Sequence, residues 1–218
     1  MPNIGSLHTD NVVQTLNKII QFSLYTFAVF SIFSISVTQI AFTIGTLAWL
    51  LKIHLTKSWK ETKGTQVGIA ILFFCLACLL AVITSVDIES SYTQLKKLLQ
   101  FAIFFWAINT VQDERERNLL VKLLIIAGTV AALNGFFQVW DTAVTIDSRV
   151  RGTMSHFMTF AGVLMLVSLM AFGRLLFHKP KEYWLLGSIG FICSCLLFTL
   201  TRQAWLGFFV GSVFLIFF

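Results

Sequence analysis

From Ile19 to Leu51 the chain runs 33 residues without a charge. About 20 apolar residues in a helix, rising about 1.5 Å each, cross the hydrocarbon layer of a membrane. This run is therefore too long for one ordinary span and suits two spans joined by a tight turn near Ser34–Gln39. Lipid offers no partner for backbone N–H and C=O groups, so such runs fold as helices that bond internally. The pattern recurs along the chain, with passes expected at about 14–35, 38–55, 65–85, 97–112, 119–139, 156–177, 183–200 and 204–218. The mean hydropathy of +0.83 and a charged fraction of 12% agree, since a soluble domain is nearer a quarter charged. The expected fold class is an all-α polytopic membrane protein of about eight transmembrane helices, one helical domain over residues 1–218.

The connecting segments are short and polar. Lys52, His54, Lys57, Lys60 and Lys63 form a first basic loop. Asp87 and Glu89 lie in the next, and Lys96-Lys97 open the fourth pass. The charge-free part of that pass, Leu98 to Gln112, is only 15 residues, short enough to require a tilted helix with snorkelling lysines or one packed in protein. Asp113-Glu114-Arg115-Glu116-Arg117 is expected as a solvated loop. Met1 to Asn17 has no cationic start followed by a cleavage site, so no cleaved signal peptide is predicted. The last run reaches Phe218 with no charge or polar tail, and the bundle is expected to belong to a longer protein.

Cation placement predicts orientation. One side holds Lys18, the lysines of 52–63, Arg115, Arg117, Lys122 and the cations of 174–181. The other holds Lys96, Lys97, Arg149, Arg151 and Arg202. Basic residues favour the cytoplasmic side, so the N-terminus is expected there and Arg149, Arg151 and Arg202 on the outer face. The net charge of +6 is spread over these loops with no basic run, which argues against nucleic acid as a partner. Cys75 and Cys78 have metal-site spacing, yet both sit inside the charge-free run Thr65–Val86 with no nearby His or carboxylate. They and Cys193 and Cys195 read as small packing residues, and no metal or cofactor is expected.

The residues that can carry chemistry are the outer arginines. Tyr183 to Thr201 and Gln203 to Phe218 are both uncharged, leaving Arg202 alone between two apolar runs. A guanidinium keeps its proton at any working pH, so it must snorkel, pair, or await an anion. Arg149-Val150-Arg151-Gly152 precedes the sixth pass. Guanidinium groups match phosphate oxygens bidentately, and with Arg202 these could grip the pyrophosphate of a lipid carrier. The plainer reading makes Arg149 and Arg151 solvated loop residues beside Asp147, and Arg202 an interfacial anchor. His156 opens the sixth pass as a phosphate donor, a general base or a structural residue. Gly207-x-x-x-Gly211 permits close helix approach, and Gln100, Asn109, Asn134 and Gln138 read as interhelical hydrogen-bonding groups.

Arg149-Val150-Arg151-Gly152-Thr153-Met154-Ser155-His156-Phe157-Met158-Thr159-Phe160-Ala161-Gly162 and Thr199-Leu200-Thr201-Arg202-Gln203-Ala204-Trp205-Leu206-Gly207 resemble two segments of the O-antigen ligase family of bacterial membrane proteins. The second is similar to that family's Thr-x-Ser-Arg-x-Ala-Trp-x-Gly, with Thr201 where Ser is usual and Gln203 where Gly is common. The resemblance implies a metal-independent glycosyltransferase of the inner membrane working on the periplasmic face. Its donor would be a glycan on undecaprenyl pyrophosphate and its acceptor the lipid A core, or another lipid-linked glycan in a polymerase. Arg202 would be a pyrophosphate-binding arginine, and the catalytic residues would lie in a loop beyond Phe218. A transporter or flippase for an anionic lipid-linked substrate is the alternative from another class. Its usual marks, internal repeats and Pro-broken helices, are not evident, since Pro2 and Pro180 both fall outside the spans.

Overall fold

A computed structural model describes residues 4–58, 65–85, 95–141 and 149–217. Asp87, Glu89 and Asp147 of the expected outer loops lie outside the described residues. All regular structure among those described is helical: α1 (Ile4–Phe30), α2 (Ile35–Thr56), α3 (Thr65–Ile83), a 3-10 helix (Leu95–Phe101) leading into α4 (Ala102–Thr110), α5 (Glu114–Asp141), α6 (Phe157–Phe177), α7 (Trp184–Phe198) and α8 (Arg202–Phe217). Four helical stretches are long and apolar enough to cross a membrane: Ile35–Thr56, Gln66–Ile83, Glu114–Val139 and Phe157–Phe177. Leu98–Thr110, Trp184–Phe198 and Arg202–Phe217 are shorter apolar helices. Large apolar side chains face outward along these helices, among them Phe73, Phe137 and Phe209, each about two-thirds exposed or more. A surface this apolar suits lipid rather than water. The chain is a helical protein with membrane-type helices.

The boundaries differ from those expected at several places, α1 already beginning at Ile4 rather than at about 14. The first turn falls at Ser31–Ser34, ahead of the Ser34–Gln39 stretch, and Ser34 starts the next helix by accepting from Thr38 N–H at 3.1 Å. The acidic cluster expected as a solvated loop is instead the first turn of α5, where Glu114 and Glu116 sit against the positive end of the helix dipole. The fourth pass opens in 3-10 geometry. That form rises about 2.0 Å per residue against 1.5 Å, so Leu95–Thr110 reaches about 27 Å. The charge-free part, Leu98–Thr110, gains about 2 Å from that geometry and remains one of the shorter apolar helices.

The chain divides into two compact units. The first comprises residues 1–24 and 39–117. Its centre is Trp106 of α4, fully buried over Gly45 of α2, where an added Cβ would lie 2.2 Å from the indole. Only glycine leaves room for that ring. Phe42 flanks it, with centroids 6.1 Å apart, while Phe105 rests on Gly68 of α3 and Phe74 meets Phe101 edge-on.

The second unit comprises residues 25–38 and 118–218. Here α6 packs against both α7 and α8. Its buried stripe Phe160, Ala161, Leu164, Val167, Ala171 keeps helical spacing and meets Ile125, Ala131 and Ala132 of α5 and Ile192 and Cys195 of α7 in one apolar core. Small residues let the axes close: a Cβ on Gly128 of α5 would come within 2.7 Å of Val167. In lipid such fit replaces the hydrophobic effect as the force that holds helices together.

Candidate anion site at one end of the second unit

The segment from Arg149 to His156 is held at three points. Val150 is 3% exposed and enters the core, where Gly135 of α5, Phe160 and Cys195 crowd together. Both neighbours of Val150 lie nearer the surface. Arg151 is exposed and Arg149 half-exposed, the guanidinium of Arg149 lying 4.6 Å from the Phe157 ring centroid. Gln138 of α5 holds Gly152 with both ends of its carboxamide: Nε2 donates to the Gly152 carbonyl at 2.7 Å, and Oε1 accepts from its N–H at 3.1 Å. Gly152 has φ +57°, and a Cβ there would lie 2.4 Å from the Phe160 ring. Thr153 Oγ1 donates to the Ile32 carbonyl at 2.8 Å. Gln138 was expected to bridge helices; it organises this loop instead.

His156 is the N-cap of α6. Its Nδ1 accepts from Met158 N–H at 3.2 Å, and its ring stacks on Phe157 at 4.6 Å. With Nδ1 accepting, the neutral ring carries its proton on Nε2, which remains a donor.

Arg202 stands across a turn of three residues from α7. Thr199 is fully buried and its Oγ1 donates to the Leu196 carbonyl at 2.7 Å, the same acceptor that takes Trp205 Nε1 at 3.0 Å. These two side-chain donors, with the Thr199 N–H at 3.3 Å, converge on one carbonyl and close the corner. Leu200 between them has φ +51°, a left-handed conformation that costs a non-glycine residue about 1 kcal/mol or more. Arg202 emerges as the first residue of α8 and is exposed. Among the described residues neither Arg151 nor Arg202 makes an ion pair. A cation at a helix N-terminus opposes the dipole, so local stability does not account for an arginine there.

The register of α6 and α8 brings these parts to one end. Gly207 meets Met165, Gly211 meets Leu169, and Leu215 meets Gly173. Each pair is 42 residues apart, so the helices run parallel and the expected glycine pair faces α6. Carrying the offset back sets Arg202 level with Phe160, the residue that also supports Gly152. Arg149, Arg151, His156 and Arg202 therefore share one end of the unit, where α6 and α8 pack side by side.

The opposite end of α6 holds a charge cluster that sequence reasoning treated as a simple basic turn. Arg174, 8% exposed, reaches Glu182 through Nη2 at 2.9 Å and Nε at 3.4 Å, and Asn118 of α5 through Nη1 at 3.1 Å. Lys122 Nζ lies 2.9 Å from the same carboxylate, and Trp184 Nε1 donates to it at 3.1 Å. The hydrogen bond from Arg174 holds the Glu182 carboxyl at about 2, down from 4.5, against the opposing effect of burial. An arginine in the last turn of an apolar helix, with one carboxylate eight residues on, was the signal available.

The first unit has a polar recess of about 270 Å³ reached by Asn17 and Gln21 of α1, Lys52 of α2, Asn109 of α4, and Asp113 and Glu116. Asn109 spends its Nδ2 on its own helix, donating to Phe105 O at 2.8 Å. Compared with known proteins, this chain matches no family model, no curated protein and no solved structure.

Proposed function

We propose that this chain forms the donor-binding part of a membrane glycosyltransferase of the O-antigen ligase type. It would transfer a glycan from undecaprenyl pyrophosphate to an acceptor such as the lipid A core. In this reading the eight helices cross a bacterial inner membrane with the N-terminus in the cytoplasm, and Arg149, Arg151 and Arg202 face the periplasm. The observation that carries the reading is the parallel register of α6 and α8, which brings Arg202 to the same end as the Arg149–Arg151 loop. Three permanent cations there, two without an ion pair among the described residues, favour a multiply charged anion.

The chemistry follows from charge. An acceptor hydroxyl attacks the anomeric carbon, its proton passes to a base, and the bond to the pyrophosphate oxygen breaks with its electron pair staying on the leaving group. Negative charge grows on that oxygen in the transition state, and guanidinium groups fixed beside it lower the barrier. Arg202 suits the role because Trp205 and Thr199 hold its turn closed. Nε2–H of His156 provides a further donor, while its Nδ1 stays committed to capping α6.

The test is Arg202→Lys in the full chain. Lysine keeps the charge but loses the planar fork, so transfer should fall by about 10²-fold or more with expression and membrane insertion unchanged. Transfer at the wild-type rate in that variant would remove Arg202 from the site.

A further inference from the structure

We propose that the recess of the first unit binds a phosphoethanolamine group, presented by a membrane phospholipid. The proposal involves none of the arginines above and stands independently of the transferase reading.

The recess holds opposite charges that do not neutralise each other. Lys52 and Asp113 both line it, yet among the described residues neither side chain has an ion-pair partner within 4.0 Å. Glu116, the second carboxylate, accepts a short hydrogen bond from Gln21 and is thereby fixed on the wall. Here Lys52 is set on α2, Asp113 stands just ahead of α5 and Glu116 lies in its first turn, so the opposite charges stand on separate elements. A ligand with one anionic and one cationic group, separated by a short link, satisfies both at once.

Depth and shape select among such ligands. Lys52 is the first charge after the 33-residue uncharged run, so its ammonium sits where the hydrocarbon ends and lipid phosphates begin. Trp49 walls both this recess and the adjoining one of about 310 Å³, which Lys52 also lines. An indole face accommodates an ammonium and packs against methylene groups. A primary ammonium donates three hydrogen bonds, matching two carboxylates and the amide oxygens nearby. A trimethylated ammonium donates none, and a glycerol headgroup carries no positive charge for the acids.

The experiment compares lipids of identical acyl chains. The full chain is placed in nanodiscs of phosphatidylethanolamine, phosphatidylglycerol or phosphatidylcholine mixtures, and the lipid retained after release is counted by native mass spectrometry. The expected result is retention of phosphatidylethanolamine over both others by about tenfold. Lys52→Ala and Asp113→Asn should each reduce that preference to near unity. Lys52→Arg and the neighbouring Glu114→Gln should preserve it, showing that the fold is intact. Free phosphoethanolamine binding as tightly as the lipid would support the group and move its source to solution; no binding of the free form supports the membrane source. Equal retention of the three lipids, or a preference unchanged in both Lys52→Ala and Asp113→Asn, would overturn the proposal.

Discussion

Glu182 shows how much one carboxylate can organise in a chain this poor in charge. It takes Arg174 at two atoms, Lys122 at 2.9 Å and the Trp184 indole, linking α5, the end of α6 and the start of α7. Arg174 is the costly member, because a buried guanidinium left without its anion has no protonation state to retreat to. Arg174→Leu should cost less than Glu182→Leu, since the first leaves a part-exposed carboxylate and the second strands a buried cation, at about 3 kcal/mol for the latter. The pH dependence follows from the downward shift of Glu182. A carboxyl lowered in the fold adds stability above its unfolded value near 4.5, and this stability is lost as pH falls toward about 2. Thermal unfolding followed between pH 6 and about 2 should show that loss in the wild type and a flatter profile in Glu182→Gln. Equal slopes in the two would separate the cluster from stability.

At the scale of elements, the apolar helices were legible because long charge-free runs bond internally as helices, and four of them are long and apolar enough to cross a membrane. What escaped was decided by local competition. Glu114 and Glu116 read as loop by charge density, whereas the helix dipole draws acids into a first turn. The 3-10 start at Leu95 depends on backbone geometry that side-chain hydropathy does not encode. In the candidate site the residue types were legible and their support was not. Gln138 was recognisable as a polar group in an apolar helix, but that it pairs with Gly152 depends on where the 149–156 segment returns. Gly152 offers the sharpest check. Its φ of +57° and the 2.4 Å approach of Phe160 leave no room for a side chain, so Gly152→Ala should destabilise by about 2 kcal/mol or more. Gln138→Leu removes both polar contacts but leaves the fold of α5, and should expose the Arg149–Arg151 segment to limited proteolysis. An unchanged cleavage pattern would show that Val150 and Thr153 suffice to hold it.

For the whole molecule, the two charge-bearing ends of the second unit govern how its helices would lie in a bilayer. The Glu182 cluster and the Arg149–Arg202 end are at opposite ends of α6, separated by the fourteen residues from Phe160 to Arg174 and so by about 21 Å. The whole of α6, 21 residues and so about 31 Å long, has an apolar surface with cations near both ends and will set each end at an interface. The excess of lysine beyond α2 and α6 then selects which end faces the cytoplasm. Single cysteines at Ser58, Ser155 and Lys179, in a background with Cys75, Cys78, Cys193 and Cys195 replaced, report each side in intact cells. A membrane-impermeant maleimide should label Ser155→Cys directly, and Ser58→Cys and Lys179→Cys only after permeabilisation. The reverse pattern would turn the arginines to the cytoplasm, where a periplasmic transferase has no use for them. Labelling of Ser155→Cys and Lys179→Cys from the same side would mean that α6 does not cross, and the count of eight spans would fall with it.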